Sequence, residues 1–374
     1  MKKYAYILLA IIILSSGCLG AGETTSSEIE DIEPLPDAEA ETSAETGGTE
    51  LFANSKQLEV SHIYSGATIL DDDNTTYYEE RALSYIGAFA MLASYDDSSI
   101  LFSDTIANSG VGAHAILDKR VGLYNGFKER SIIEAADNLG YYIYLGLRDK
   151  GLARSRRLEY DFEDSARQKT YFADGNEAMD NLKQVISSGK PVEVHLDAYI
   201  LESTFAEQSD FWKENKVDTH FSHFFVITGY DTDNIYLLDP NDPEGITLEA
   251  PDQDFQTAWE HGARGGMSGA HLGPFWMISI EEGGAKNNIG QVIGWNKLIS
   301  PDASFAVRST KQIADFGELG VGRREFAKYL KEHGSESAAE KYAELGEAYL
   351  RETITNVDLM RLSGNEQVAR ARLH

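Results

Sequence analysis

Ser222-His223-Phe224-Phe225-Val226-Ile227-Thr228-Gly229-Tyr230-Asp231, followed by Ile235-Tyr236-Leu237-Leu238-Asp239-Pro240, is the stretch on which the reading of the fold turns. Phe224 to Thr228 is an aromatic and branched run, Gly229 to Asn234 is rich in turn residues, and Ile235 to Leu238 is a second branched run. That is the pattern of a β-hairpin. Antiparallel pairing sets the start of one strand beside the end of the next, so His223 and Asp239 fall side by side. Asp239 can then accept from one imidazole nitrogen and leave the other as a base, which makes the pair the second and third members of a triad. On spacing alone the simpler reading is a satisfied strand-end histidine and an Asp-Pro turn.

Upstream, Gly175 to Ser188 carries Ala178, Met179, Leu182, Val185 and Ile186 on one side of a predicted helix that stops at Gly189. After Lys190-Pro191 the period changes. Val192, Val194 and Leu196 alternate with Glu193, His195 and Asp197, which predicts a strand with one buried face. Helices are expected from about Glu79 to Ser94, where Leu83, Ile86, Gly87, Ala90, Met91 and Ser94 mark one face, and around Ser131 to Leu139. Leu51 to Ile69 reads as an extended opening segment, interrupted by Asp71-Asp72-Asp73-Asn74, and Phe275 to Ile280 as a further strand. From about Thr310 to His374, Phe326, Tyr329, Leu330, Tyr342, Leu345, Tyr349 and Leu350 fit amphipathic helices with no strand signal. The expected class is α+β: N-terminal helices packed on an antiparallel sheet, with a helical C-terminal extension.

Four pieces of this order resemble the C39-like peptidases, a branch of the papain-like fold. The hairpin is similar to their strand that opens on the catalytic His, turns at Gly-Tyr-Asp and returns to Asp-Pro. Leu182 to Val192 is similar to their helix ending in Gly-Lys-Pro-Val, Phe255-Gln256-Thr257-Ala258-Trp259 to their Phe-x-x-x-Trp, and Ala90-Met91-Leu92-Ala93-Ser94-Tyr95 to the end of the helix that carries the nucleophile. The likeness covers roughly Thr76 to Ile280 and implies a papain-like fold there. Butirosin-biosynthesis H-like domains resemble the same stretch less specifically. Carried over residue by residue, the resemblance puts the family's catalytic cysteine at Ser84, its following Gly-Pro at Tyr85-Ile86, and its oxyanion glutamine near Tyr78. The family-equivalent catalytic positions are therefore Ser84, His223 and Asp239.

A papain-like site depends on a thiol, of pKa about 8.5, that is drawn into a thiolate beside a protonated histidine. Serine must lose its proton during attack and leans on base alignment and a prebuilt oxyanion hole, each donor of which is worth about a hundredfold to a thousandfold in turnover. The expectation is a non-catalytic relative that holds a peptide or protein partner in the inherited cleft. The alternative is a serine-dependent hydrolase or acyltransferase using Ser84, His223 and Asp239. A third class is a structural surface component that assembles through its helical tail.

The single cysteine, Cys18, follows Lys2-Lys3, an apolar run from Tyr4 to Leu14 and Ser15-Ser16-Gly17. This reads as a lipoprotein signal with Cys18 as the lipidation site, and the run is too short for a spanning helix of about 20 residues. The expected partner there is membrane lipid at the extracytoplasmic face. Ala21 to Glu50 has no Lys or Arg and reads as a solvated acidic tether. The expected segments are thus 1–18, 19–50, a C39-like body over 51–305 and an extension over 306–374. A formal net charge of -28 argues against nucleic acid. No cofactor or metal is expected. His195, Asp197, His220 and His223 lack a ligand spacing, the acidic runs lack calcium-loop spacing, and Gly262 to Gly269 lacks the Lys-Ser/Thr of a phosphate loop.

Overall fold

The computed structural model describes residues 54–66, 68–70, 76–78, 83–113, 128–148, 166–215, 220–262, 273–299 and 316–350, with a few positions in 365–373. Cys18, the tether, Asp71 to Asn74 and most of the glycine-rich 262–269 stretch lie outside them. Residues 51–374 form one compact unit. Its strands are β1 (Lys56–Gln57), β2 (Thr68–Leu70), β3 (Thr76–Tyr78), β4 (Tyr141–Arg148), β5 (Gln168–Phe172), β6 (Val192–Asp197), β7 (Ser222–Tyr230), β8 (Asn234–Leu238), β9 (Thr247–Pro251) and β10 (Met277–Glu282). Its helices are α1 (Ser84–Asp96), α2 (Phe102–Ser109), α3 (Lys128–Leu139), α4 (Gly175–Ser187), α5 (Ala198–Ala206), α6 (Asp210–Glu214), α7 (Asp252–His261), α8 (Ile289–Ile299), α9 (Phe316–Glu332) and α10 (Glu336–Tyr349). None of the described helices is long and apolar enough to cross a membrane.

Seven strands run in the order β5-β4-β10-β6-β7-β8-β9, and β1 adds an eighth by pairing with the end of β7. This is the α+β arrangement expected, antiparallel throughout except where β4 and β5 pair in parallel at one edge. Helices cover both faces. On one face α1, α2, α3, α9 and α10 bury a cluster that takes in Phe224, Val226, Leu238, Ile143 and Ile278. On the other, α4 to α7 pack with Val194, Leu196, Phe225, Ile227, Leu237 and Met277.

Two sequence expectations change. Ser84 to Ala93 of α1 are buried all round the helix rather than along one stripe, because α1 lies between the sheet and other helices. The strand β6 is buried on both faces, because α1 packs over the side that bears Glu193, His195 and Asp197. The signals at α4 hold in detail. Asp174 accepts from the N–H groups of Asn176 and Glu177 at 2.9 and 3.0 Å, and Glu177 accepts from Ala173 N–H at 2.7 Å. At the other end Gly189 takes a φ of 91°, the left-handed stop that leads the chain into β6.

The C-terminal helices share the core of the body. Phe326 packs edge-on to Tyr342 at 4.9 Å, and buried Arg323 donates to the Val111 carbonyl at 3.1 Å. Helices α9 and α10 cross where neither has a side chain: a Cβ at Gly346 would lie 2.9 Å from Arg324 N and 3.0 Å from Gly320 O. Gly346→Val is expected to lower unfolding stability in urea by about 1–3 kcal/mol through overpacking. Gly294→Ala in α8, where a Cβ meets nothing within 4 Å, should be neutral or stabilise by up to about 1 kcal/mol.

Candidate functional site

The β7–β8 register pairs Val226 with Leu238 and Ile227 with Leu237. This brings Asp239, one residue past β8, to the start of β7. His223 Nε2 lies 2.7 Å from Asp239 Oδ1, with the two side chains 4% and 0% exposed. Asp239 Oδ1 also accepts from Asn241 N–H at 2.8 Å, and the Asp239 carbonyl accepts from His62 Nε2 at 2.9 Å. The imidazole is fixed by rings: Phe225 edge-on at 4.8 Å, Phe221 stacked at 5.6 Å and Trp212 edge-on at 6.3 Å. With Nε2–H donated to the carboxylate, Nδ1 is the acceptor and makes no hydrogen bond to a described group. The ring borders a shallow recess of about 20 Å3, room for about one water, lined by Phe211, Trp212, Asn215, Phe221 and Asn241. The arrangement is an oriented base at the wall of a small aromatic pocket.

Ser84 is the first residue of α1 and is buried, at 8% exposure. Its neighbour Tyr85 packs on Phe224, with ring centroids 6.1 Å apart, on the face of β7 that α1 covers. His223 alternates onto the other face with Leu196 and Phe225. Three residues on, a Cβ at Gly87 would meet Ser65 at 2.4 Å and Pro240 at 3.0 Å, so α1 is pressed against the residue that follows Asp239. The structure thus joins His223 to Asp239 directly. It seats Ser84 in the helix beside the Asp-Pro turn, with no hydrogen bond to either. Tyr78 ends β3, and its side chain lies outside the described residues.

Of the metal and calcium candidates, Asp197, His220 and Asp242 are engaged in hydrogen bonds of their own. His220 Nδ1 lies 2.6 Å from Asp197 Oδ2, and no group of three metal-ligating side chains occurs among the described residues. In the 239–244 turn, Asp242 accepts from Ser209 Oγ at 2.7 Å and from Glu244 N–H at 2.9 Å. Trp259 and Trp276 pack beneath the site, Trp259 Nε1–H donating to the Trp276 carbonyl at 2.8 Å. Sequence reasoning missed Trp212, which belongs to a short helix in a stretch given no element.

With this geometry in place, comparison with known proteins is direct. Residues 155–266 match the Peptidase_C39 like family. No curated protein matches the chain. The C39-like segment takes in β5 to α7 and so includes His223 and Asp239; Ser84 lies ahead of it.

Glu193 is the other residue that sequence reasoning misplaced. It is fully buried in the central strand between Val226 and Ile278, and neither carboxyl oxygen has a hydrogen-bond partner. Burial holds its pKa well above the usual carboxylate range. The folded protein therefore keeps a proton that the unfolded chain releases above pH about 4.3, and stability falls as pH rises from there, by up to about 1.4 kcal/mol per pH unit. Glu193→Gln is expected to flatten thermal stability against pH between about 5 and 8 and to raise it most at the upper end. Asp104, Asp137 and Asp242, which burial also raises, would retain the remaining slope. An unchanged slope in the variant would assign the whole dependence to those three.

Proposed function

We propose that the chain is a lipid-anchored protein of the extracytoplasmic membrane face whose C39-like body binds an extended peptide or a partner protein without cleaving it. The observation that carries this reading is the state of the three family-equivalent positions. His223 and Asp239 form a buried pair, while the nucleophile position is a serine hydrogen-bonded to neither. The only thiol in the chain is Cys18. A base without a thiolate partner lacks the group that makes papain-like attack fast. The recess beside the base is walled by the aromatic rings of Phe211, Trp212 and Phe221, which suit an apolar or aromatic group laid against them.

One observation favours a second reading, a serine-dependent hydrolase or acyltransferase. His223 Nδ1 is left uncommitted by the described residues, as a general base requires. A panel of peptides and esters separates the two. Binding without turnover, weakened at least tenfold by Asn215→Trp at the pocket wall, is the expected result. Turnover that disappears in His223→Ala would replace binding with catalysis. For the anchor, Cys18→Ser is expected to shift the protein from the membrane pellet to the soluble fraction of expressing cells, and retention in the pellet would remove the lipid from the proposal.

A further inference from the structure

A second recess lies at the other end of the sheet, away from His223. Its floor is formed by β4, β5 and β10 and its wall by α4, around a space of about 180 Å3. In the floor, Gly146 carries no side chain because Met277 and Phe172 fill the space over it, where a Cβ would come within 2.7 Å of both Met277 Cγ and Phe172 Cζ. Strand alternation brings Gln168 and Thr170 of β5 and Ser279 of β10 to the same side, and Asn181 faces them from α4. None of these four side chains hydrogen-bonds to another described group. Two planar amides and two hydroxyls, each both donor and acceptor, converge on one space with nothing to satisfy them but a ligand or solvent.

The charges at the rim cancel. Lys190 Nζ lies 3.6 Å from Glu281 Oε1, and the Tyr144 hydroxyl donates to the other oxygen of that carboxylate. That bond and the nearby lysine hold the Glu281 carboxyl below its ordinary pKa, so it stays ionised. The remaining lining adds an apolar strip from Val185 and Met277. A net charge of -28 also repels anions from the surface. Within the floor β4 and β10 are each paired on both sides, so among the described strands the main-chain edge there is confined to β5. A fitting ligand is uncharged, dense in hydroxyls that both donate and accept, and partly apolar on one face.

From the convergence of Gln168, Thr170, Asn181 and Ser279 on one side of the sheet, we infer that this recess is a binding site for a neutral saccharide, with room of about 180 Å3 for one pyranose ring. The inference uses none of the residues of the His223 recess and stands apart from the reading of that site. The test is saturation-transfer NMR and calorimetry on the full chain with glucose, galactose, mannose, N-acetylglucosamine, maltose and cellobiose. At least one is expected to bind, with affinity reduced tenfold or more in Gln168→Ala and Asn181→Ala and unchanged in Lys341→Ala on α10. Both site positions are at least partly exposed, so thermal midpoints near that of the parent would separate lost binding from lost folding. Absence of any saccharide signal, or equal binding in both site variants, would overturn the inference.

Discussion

Strand β7 is the constraint on which both cores and the candidate site depend. All nine of its residues are buried, and it pairs with β6, β8 and, at its end, β1. Alternate side chains go to opposite helical layers: Phe224 and Val226 under α1, His223, Phe225 and Ile227 toward α5 and α6. Its register with β8 is held at the turn, where Asp231 Oδ1 accepts from the N–H groups of Asp233 and Asn234 at 2.8 Å each and Oδ2 accepts from the Tyr236 hydroxyl at 2.5 Å. These bonds keep the Asp231 carboxyl ionised, with its pKa lowered to about 2. A slip of one residue would exchange the two faces. The imidazole would enter the apolar cluster beneath α1, and Asp239 would lose its partner.

What the sequence displayed well was local. Hydrophobic spacing and the stop at Gly189 located α4, and turn residues between two branched runs located the hairpin and with it the His223–Asp239 pair. What it hid depends on the third dimension. The near-continuous apolar run of β4 has no clear period, because Ile143, Leu145 and Leu147 pack under helices while Met277 and Phe172 close over Gly146 on the other face. The edge strand β5 is polar and largely exposed, so it gives little signal of burial. The alternation in β6 was legible, but its meaning was reversed by α1. A polar residue at every second position normally marks solvent, and here it marks a second buried layer in which Asp197 finds Phe221 N–H and His220 while Glu193 finds no partner.

The His223–Asp239 pair has a structural use that requires no substrate. Burying such a pair costs desolvation of both groups, and a dry site returns that cost only when the remaining hydrogen-bonding positions are well used. Asp239 uses Oδ1 twice, toward His223 and toward Asn241 N–H, while Oδ2 is buried with no partner among the described residues, so the carboxylate orients a ring and closes the turn that starts at Pro240 at a cost only partly returned. Ser65 completes the connection, donating its N–H to the Pro240 carbonyl at 2.7 Å and its hydroxyl to Asn241 Oδ1 at 3.0 Å. A chain that no longer cleaved would still lose this corner if it lost the aspartate. Persistence of the pair therefore argues for the scaffold and does not by itself argue for turnover.

Both recesses open on the same side of the sheet, and packing explains why. The opposite side is sealed by α1, buried around its circumference, and by the α9–α10 pair drawn close through Gly320 and Gly346. The side that bears the recesses is covered by helices of unequal length, thirteen residues in α4 against nine in α5 and five in α6. The short α6 ends above the sheet beside His223, and on α4 the polar Asn181 stands over the sheet where an apolar side chain would pack down on it. One recess lies beside His223, where the wall is aromatic. The other lies under Asn181, where the wall is amide and hydroxyl. Strand β6, buried on both faces, separates them, so a ligand in one recess would be distinguished from a ligand in the other by chemistry as well as by position.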